Sequence, residues 1–326
     1  MTILAGDVGG TKIRLGLHTL KNQELQRTVV KQYESAKYAS LSEVIKIFLD
    51  ENKASVQTAC FGIPGPVING TVKVTNLPWT LSESELSSSL NIAKVRLVND
   101  LVATAAAVPY FAADDFVTLH PGKELGKNGI AAVVAPGTGL GQAILTVKDG
   151  KVEALASEGG HANFAPNSEI EAELFLHLKK KFSHVSIEHV LCGPGLLNIY
   201  NFLKDTNYAK EAPELADEIK TRPAAAVITS FALENKSDLC VKTLDIFVNI
   251  LGAHCSNLLL TVLATGGIFL GGGIPPKIMK KLTDGTILEP YLAKGKMRDQ
   301  VAITALKVIK DDHAALSGAA RIAASL

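Results

Sequence analysis

The sequence predicts an α/β fold in two domains, and three observations support this. The chain has 326 residues, which is more than a single hydrophobic core commonly supports. Strand and helix patterns alternate along its first third, as in a sheet that helices cover. After Pro109 the strand pattern begins again on a similar plan. We therefore expect a small domain at residues 1–110, completed by a C-terminal helix at 305–326, and a large domain at 111–304.

The individual elements follow from hydrophobic periodicity. Apolar runs predict strands of the first domain at Thr2–Asp7, Lys12–Thr19, Thr28–Tyr33, Thr58–Ile63 and Val95–Val98. Helical spacing predicts helices there at Leu41–Asn52, Glu83–Leu90 and Leu101–Val108. After Pro109, strands are predicted at Phe116–Leu119, Ile130–Ala135, Gly141–Val147, Val152–Ala156, Ile268–Leu270 and Val301–Ala305. The predicted helices of that part are Ser168–Phe182, Pro223–Asn235, Ser237–Leu263 and His313–Ala324.

Composition limits the classes of function. Hydrophobic residues make up 47% of the chain and charged residues 20%, which is typical of a well-packed globular protein. The net charge is only +1 and basic residues form no long run, so we expect no nucleic-acid partner. Four widely spaced cysteines in apolar surroundings are typical of reduced thiols: Cys60, Cys192, Cys240 and Cys255. Because no signal peptide and no bilayer-spanning stretch is evident, we expect a cytoplasmic protein without membrane association.

An apolar run near the start ends in the turn Gly6-Asp7-Val8-Gly9-Gly10-Thr11, and an alternating stretch follows it at once. This order predicts a hairpin. Gly9 and Gly10 allow positive φ and a close approach of the backbone to an anion, and Thr11 adds a hydroxyl donor. Asp7 would repel a phosphate unless a cation such as Mg²⁺ lay between them. On this segment alone, a metal–nucleotide site and an ordinary glycine-rich turn are equally good interpretations.

Two further glycine clusters follow the same logic. Gly137-Thr138-Gly139 lies between two predicted strands and again offers glycine and threonine to a phosphate. In a third cluster, Gly266 and Gly267 before a short apolar strand and Gly271, Gly272 and Gly273 after it bracket that strand, where missing side chains would let a flat group such as adenine lie on the backbone. Turn formation or tight helix–strand packing would explain either cluster taken singly. Together the clusters favour a nucleotide held between two α/β domains.

Polar residues at strand ends and turns form the second group of candidates. Asn99 and Asp100 come where a buried strand meets a helix, a position at which capping is the commoner role. Capping and ligand binding can coexist there, because ligands of open α/β sheets bind at the carboxyl ends of strands. Glu158 and His161 flank two glycines, and Glu188 begins a helical stretch. Taken alone, His161 fits a surface loop equally well, and Glu188 fits a solvated helix start better.

In order and spacing, these segments resemble the motifs of the actin, hexokinase and heat-shock ATPase superfamily, and the whole chain is similar to the bacterial-type ATP-dependent glucokinases. The resemblance implies a two-domain actin-like ATPase fold of the ribonuclease H-like type, with an interdomain cleft. It implies that Asp100 is the general base and that the sugar is surrounded by Asn99, Asp100, Glu158, His161 and Glu188. The residues expected to bind ATP are Gly6, Asp7, Val8, Gly9, Gly10, Thr11, Gly137, Thr138, Gly139, Gly266 and Gly267, with Asp7 acting on Mg²⁺.

From this resemblance we expect Mg²⁺-dependent transfer of phosphate from ATP to the 6-hydroxyl of D-glucose, at the entry to glycolysis, by a homodimer. Related kinases and repressors of the ROK group carry a cysteine-rich zinc motif after the Gly-His segment. This chain has Ala162-Asn163-Phe164-Ala165-Pro166 there, so we expect no structural zinc. A kinase for mannose or fructose is the nearest alternative, and a sugar-responsive regulator or an ATPase is less favoured. Polyphosphate and ADP stay open as phosphate donors.

Overall fold

The computed structural model describes residues 1–21, 24–74, 77–123 and 125–326. The chain forms two compact units. Unit 1 consists of Met1–Asp115, Val152–Ala156 and Asp311–Leu326, and unit 2 of Phe116–Lys151 and Ser157–Lys310. The domain boundaries proposed from the sequence stay a prediction.

The elements are numbered in chain order. The strands are β1 Thr2–Val8, β2 Lys12–Lys21, β3 Glu24–Glu34, β4 Thr58–Ile63, β5 Thr71–Lys73, β6 Thr80–Ser82, β7 Lys94–Asn99, β8 Phe116–His120, β9 Gly129–Pro136, β10 Leu140–Lys148, β11 Lys151–Ser157, β12 Ile268–Leu270 and β13 Leu306–Ile309. The helices are α1 Leu41–Glu51, α2 Glu83–Leu90, α3 Asp100–Ala107, α4 Glu169–Lys179, α5 Gly193–Asp205, α6 Pro213–Thr221, α7 Ala224–Leu233, α8 Asp238–Val262, α9 Met279–Leu282, α10 Leu288–Leu292, α11 Arg298–Ala302 and α12 Ala314–Ala324.

The main sheet of unit 1 has the order β3-β2-β1-β4-β7. Its first three strands form an antiparallel meander, and β4 and β7 run parallel to β1. Alternate residues of β1 face opposite sides: Ile3 and Ala5 belong to the core beneath α12, whereas Leu4 and Val8 belong to the core beneath α1. Because β1, β4 and β7 are parallel, their carboxyl ends lie at one edge of the sheet.

Helices α3 and α12 cross closely in unit 1. A Cβ atom on Gly318 of α12 would overlap the carbonyl oxygen of Ala103 in α3, so the two backbones touch. The helix α12 also contributes Leu316 and Ala319 to an apolar cluster with Ile3. The C-terminal helix therefore supports the helix that begins at Asp100.

The second large sheet has the order β11-β10-β9-β12-β13-β8, and its strands β8, β9, β10, β12 and β13 belong to unit 2. The strand β10 is antiparallel to β9, the strands β12 and β13 run parallel to β9, and β8 pairs antiparallel with β13. The first five strands repeat the order found in unit 1, as the restart of the strand pattern after Pro109 predicts. The two glycine turns therefore occupy equivalent positions, between β1 and β2 in one sheet and between β9 and β10 in the other.

The longest helix, α8, runs through the core of unit 2. Its residues Leu244, Phe247 and Leu251 are buried among the side chains of the neighbouring helices. In the described part of the chain it is the one helix long and apolar enough to cross a membrane by length and composition. More than half of its most apolar window, 56%, is buried inside the structure, as in a core helix.

Several elements differ from the sequence prediction, since β5, β6, α6 and α10 follow no predicted segment. The strand predicted at Val301–Ala305 is wrong, because this segment contains the end of α11 and β13 begins only at Leu306. A short apolar run does not separate helical from strand periodicity, which explains the error. The pattern also did not predict α5, whose start, Gly193-Pro194-Gly195, has the composition of a turn although proline is favoured in the first turn of a helix.

Candidate active site

The first glycine turn, residues 6–11, joins β1 to β2 as a hairpin, as predicted. The amide of Gly9 donates to the carbonyl of Lys12 at 2.8 Å, and a Cβ atom on Gly9 would lie 3.1 Å from that oxygen. Neither Gly9 nor Gly10 is among the described residues with positive φ. Glycine is therefore required at position 9 for close backbone packing, and the expected left-handed conformation is not present.

Asp7 lies at the carboxyl end of β1, opposite Arg14 of β2. Arg14 Nη1 is 3.9 Å from Asp7 Oδ2, and the same nitrogen donates to the carbonyl of Asp312 at 2.7 Å. Burial, and next the negative charge of Asp100, raise the pKa of Asp7 to about 6, against the opposing effect of Arg14. Asp7 and Asp100 therefore concentrate negative charge at this edge of the sheet.

Asn99 and Asp100 occupy the junction between β7 and α3. Asn99 is the N-cap, and Oδ1 of each residue accepts from the amide of Leu101 at 2.9 Å. Gly62 of β4 packs closely beneath this junction, since a Cβ atom there would lie 3.1 Å from Ala103 Cβ and 3.4 Å from Asp100 Cα. Asn99 pairs in register with the last residue of β4, so the junction and Asp7 lie at the same edge of the sheet.

This edge has the donor chemistry of a magnesium site. Mg²⁺ prefers oxygen ligands and is commonly held by one or two carboxylates together with water and substrate phosphates. The Asp7 side chain is 26% exposed, so water can reach it. No cluster of three or more His, Cys, Asp or Glu side chains suited to a metal occurs in the described residues. Asp7 could therefore hold a cation together with water and phosphate oxygens.

The second glycine turn, residues 137–139, joins β9 to β10 in unit 2. Gly137 donates to the carbonyl of Gly139 at 2.8 Å and accepts from the amide of Gly193, at the start of α5, at 2.8 Å. Gly137 and Thr138 line a cavity of about 510 Å³. Its walls are largely apolar, with Lys277 as a positive charge. A concave, mostly apolar site of this size suits a small organic ligand such as a nucleoside.

Glu158, His161 and Glu188 approach one another in unit 2. His161 Nε2 is 3.8 Å from Glu158 Oε2, and His161 Nδ1 is 3.9 Å from Glu188 Oε1. The other oxygen of Glu188 accepts from the amide of Leu140 at 2.8 Å, directly after the second glycine turn. The side chains of Glu158 and His161 are about two-thirds exposed, at 66% and 64%. The structure thus brings together three residues proposed for the sugar, next to a turn proposed for phosphate.

The loop that carries Glu158 and His161 rests on a buried polar pair. A Cβ atom on Gly159 would overlap Gln142 Oε1. The Nε2 atoms of Gln142 and His254 are 2.6 Å apart. Burial lowers the pKa of His254 to about 4, so its ring is neutral near pH 7 and accepts the hydrogen bond from the Gln142 amide. Gln142 therefore supports the loop from beneath.

The third glycine cluster is divided between the two ends of β12. Gly273, after the strand, lines the same cavity as Gly137. Gly266 and Gly267 precede the strand, where a Cβ atom on Gly266 would lie 2.5 Å from Leu125 Cδ1, and the positive φ of Gly267, 120°, requires glycine. The structure does not bring Gly266 and Gly267 together with the second turn. Their assignment to ATP stays a prediction, and the packing around them does not support it.

Residues that act through long-range contacts have no local signal in the sequence. Arg14 and Asp312 are 298 positions apart in the sequence, and Gln142 and His254 are 112 apart. No local pattern marks such pairs. Gly273 lies in the third glycine cluster, and its place after a strand is the signal that distinguishes it from Gly266 and Gly267.

Comparison with solved structures identifies the class of protein. The crystal structure of a glucokinase from an Antarctic psychrotroph matches with a TM-score of 0.89 at 30% identity, over 100% of this chain and 99% of that chain. A ROK family glucokinase from Streptomyces griseus, determined in complex with glucose and AMPPNP, shares the fold, with a TM-score of 0.68 at 17% identity over 100% of both chains. The chain has the two-domain actin-like ATPase fold of the sugar kinases, which confirms the predicted fold class.

Sequence comparison identifies the family within this class. The family model described as Glucokinase matches residues 4–326. The glucokinase of Nostoc sp. is 36% identical over 342 residues, with 99% of each chain covered. That of Cronobacter sakazakii is 34% identical over 316 residues, covering 97% of this chain and 95% of the relative. The chain belongs to the glucokinase family and is a hexose kinase, as the sequence resemblance implied.

Proposed function

We propose that this enzyme transfers the γ-phosphate of ATP to the 6-hydroxyl of D-glucose in a Mg²⁺-dependent reaction. Its curated relatives are glucokinases, and the Streptomyces griseus structure contains glucose and AMPPNP. One contact supports the proposal most directly. Glu188 binds the backbone directly after the second glycine turn and faces His161, so groups suited to phosphate and to sugar hydroxyls adjoin within unit 2.

The nucleotide is assigned to the cavity and to the two glycine turns. The adenosine would occupy the apolar cavity of unit 2, against Gly273 and the start of α7. The turn at residues 137–139 and the turn at residues 6–11 offer backbone amides to the phosphates. Of the third cluster, we propose Gly273 as the nucleotide contact, because it shares the cavity with the second turn.

The sugar is assigned to five polar side chains. In unit 2, Glu158, His161 and Glu188 offer two carboxylates and an imidazole to vicinal hydroxyls. In unit 1, Asn99 and Asp100 add an amide and a carboxylate. A site that pairs each hydroxyl leaves polar groups unsatisfied when one hydroxyl is missing, so discrimination against deoxy sugars is strong.

The chemistry needs little from the protein beyond position and charge. Asp100 would accept the proton of the 6-hydroxyl, and Asp7 would hold Mg²⁺ directly or through water. When bound, Mg²⁺ neutralises charge on the phosphates. Phosphoryl transfer has a loose transition state, so Asp100 contributes as much by orienting the hydroxyl as by removing its proton. Transfer is direct and in line, with no phosphorylated residue on the enzyme.

A matrix of acceptors and donors tests this function. Glucose, mannose, fructose and 2-deoxyglucose are each assayed with ATP, ADP and polyphosphate, and compared by kcat/KM. We expect the highest value for glucose with ATP and a strict requirement for Mg²⁺. A higher value for mannose or fructose would assign the enzyme to another hexose. Hydrolysis of ATP at the same rate without any sugar would support the ATPase alternative instead.

Glu188→Gln is expected to raise the Kd for glucose by about 10- to 100-fold, because a charge-assisted hydrogen bond is lost. The glutamine keeps an oxygen that can accept from Leu140, so the second turn is retained. Isothermal titration calorimetry with glucose measures the effect. Glu173→Gln, an exposed carboxylate of α4 in the same unit, is the matched control and should leave glucose binding unchanged. Equal Kd values for wild type and Glu188→Gln would remove Glu188 from the sugar site.

Gln142→Leu is expected to lower stability by roughly 1–3 kcal/mol and to raise KM for glucose, since it leaves buried His254 without a partner and alters the support of the loop. The double variant Gln142→Leu/His254→Leu removes both partners and should recover stability, because two apolar side chains leave nothing unsatisfied. Recovery of stability without recovery of KM separates loop positioning from folding. Independent, additive effects of the two substitutions would argue against a coupled pair.

We also propose that the enzyme acts in the cytoplasm, at the entry to glycolysis, as a homodimer without structural zinc. Reduced thiols fit that compartment, and all four cysteines are free and buried. Light scattering of the purified protein, combined with metal analysis, tests the last two statements. A monomer, or stoichiometric zinc, would overturn them.

A further inference from the structure

A second cavity lies in unit 1, away from every residue assigned to glucose or ATP. Its volume is about 220 Å³, and three parts of the unit line it. The meander contributes His18 of β2 and Arg27 of β3, which pair across the two strands. The helix α12 contributes one face, Ser317, Ala320 and Arg321. The third wall is the C-terminal end of α3 with the turn that follows it, which includes Tyr110.

The charges of this cavity are unbalanced. Two arginines line it, and no acidic residue does, among the lining residues that the structure describes. The arginine ion pairs of the described chain involve Arg14, Arg96 and Arg222, and neither cavity arginine. Two guanidinium groups without a carboxylate repel each other, and Arg321 is partly buried, where a charge without a counter-ion is unfavourable. The cavity is therefore short of negative charge.

Arg321 is held in place inside this cavity. Its guanidinium carbon lies 4.0 Å from the centre of the Tyr110 ring, which is a stacked cation–π arrangement. Burial lowers the pKa of Arg321, yet an arginine stays charged in proteins. A cation–π contact of this kind leaves the N–H edge of the guanidinium available for hydrogen bonds. Such an edge matches the paired oxygens of a phosphate or a carboxylate.

His18 forms the floor and does not neutralise the arginines. Its side chain is almost fully buried, and in the described part of the chain its Nδ1 atom has no hydrogen-bond partner. Burial lowers the pKa of His18 to about 4, and the charges of Arg27 and Arg321 act in the same direction. The ring is neutral near pH 7. The positive charge of the cavity therefore comes from the two arginines.

The cavity is separate from the proposed active site within unit 1. His18 pairs with Ile3, near the start of β1, whereas Asp7 is four residues further along that strand, roughly 13 Å away. Ala107, which lines the cavity, is seven residues after Asp100, about 10 Å along α3. The two sites thus lie at opposite ends of the same strand and the same helix.

We propose that this cavity binds a small organic anion, one that presents a phosphate or carboxylate group to Arg27 and Arg321 and a short carbon skeleton to the apolar wall. Leu25, Ala107 and Ala320 form that wall, and Ser317 adds a hydroxyl. The volume is below the usual range of pockets for drug-sized ligands, which favours a ligand smaller than a nucleotide. This site does not depend on the assignment of glucose and ATP.

Calorimetric titration of the full chain with glycerol 3-phosphate, inorganic phosphate and succinate tests the proposal. Saturating glucose and a non-hydrolysable ATP analogue are present, so that the nucleotide turns are occupied. We expect one site per chain with millimolar or tighter affinity for at least one probe. The order of the three affinities shows whether the site prefers phosphate or carboxylate and whether the carbon skeleton contributes. Binding by none of the three would overturn the proposal.

Two variants and a charge-matched control locate the binding. Arg27→Gln and Arg321→Gln should each weaken the probe by about ten-fold or more, because each removes a charge-assisted contact. Arg27 is exposed, so its variant should fold normally and keep the wild-type kcat. Lys46→Gln removes one positive charge from the exposed side of α1 and should leave binding unchanged. Equal affinity in all four proteins, or equal weakening in Lys46→Gln, would overturn the site. Failure of the chain to phosphorylate glucose would leave the proposed anion site unaffected, because that site is defined by the two arginines alone.

Discussion

Asp100→Asn is expected to lower kcat for glucose phosphorylation by about 10²- to 10⁴-fold, the usual contribution of a general base. The reduction in kcat should be nearer the smaller of these values, because the loose transition state depends more on orientation of the hydroxyl than on removal of its proton. Glucose should still bind, since asparagine keeps the shape of the side chain. The start of α3 should also be retained, because Asn99 provides a second acceptor for the amide of Leu101. Steady-state kinetics and glucose calorimetry measure the two effects separately.

The control for this variant is Asp50→Asn. Asp50 is an exposed carboxylate of α1 in the same unit, so its replacement removes an equal charge without touching the junction of β7 and α3. It should leave kcat unchanged. A kcat for Asp100→Asn within a few-fold of the control would exclude Asp100 as the base. Loss of glucose binding together with kcat would make it a binding residue instead.

Asp7→Asn is expected to lower kcat/KM for MgATP by about 100-fold or more, because the loss of a metal ligand removes several kcal/mol of transition-state stabilisation. The Asp7→Asn variant should also be more stable than the wild type.

The pKa of the Asp7 carboxyl is raised from 3.8 to about 6, so the folded chain binds a proton at Asp7 more tightly than the unfolded chain does. The ionised carboxylate therefore destabilises the fold as pH rises from about 3.8 through about 6, by roughly 2–3 kcal/mol above that window.

Removing this charge should raise the melting temperature by several degrees at pH 7.5 without Mg²⁺. The gain should disappear near pH 4, where Asp7 is protonated in the wild type. Thermal unfolding at the two pH values measures the change in stability. Activity measured across a series of Mg²⁺ concentrations checks the expected loss of catalysis. Asp312→Asn, which removes a neighbouring exposed carboxylate that contacts Arg14, is the control and should lose far less activity. An Asp7→Asn variant with a normal Mg²⁺ requirement would contradict the metal assignment.

Local patterns were sufficient for much of the fold. The hairpin from β1 to β2 and the junction at Asn99 follow from apolar alternation and from turn or capping residues, which act over a few positions. The segment at Val301–Ala305 shows the limit of that reasoning, because a run of five residues fits a helical turn and a strand equally well. Tertiary contacts decide such cases.

The candidate site also has some features that local sequence patterns predict and others that only tertiary contacts determine. Motif spacing led to Glu158, His161 and Glu188, and the structure places them together. Motif spacing could not show that Arg14 and Asp312 lie next to Asp7, or that Gln142 and His254 support the loop. The members of each pair are too distant in sequence for a local pattern to connect them. The third glycine cluster could be found from composition alone. Which of its glycines face the cavity depends on which end of β12 each one occupies.

The contact between α3 and α12 has a consequence for biosynthesis. Gly318 touches the backbone of the helix that starts at Asp100, and residues 311–326 belong to the same unit as residues 1–115. A ribosome therefore releases most of unit 1 long before the helix that completes it has been made. Unit 2 lies between these segments and can fold first. The proposed base would reach its final position only late in synthesis, so a nascent chain should form the cavity proposed for the nucleotide before it gains catalytic activity.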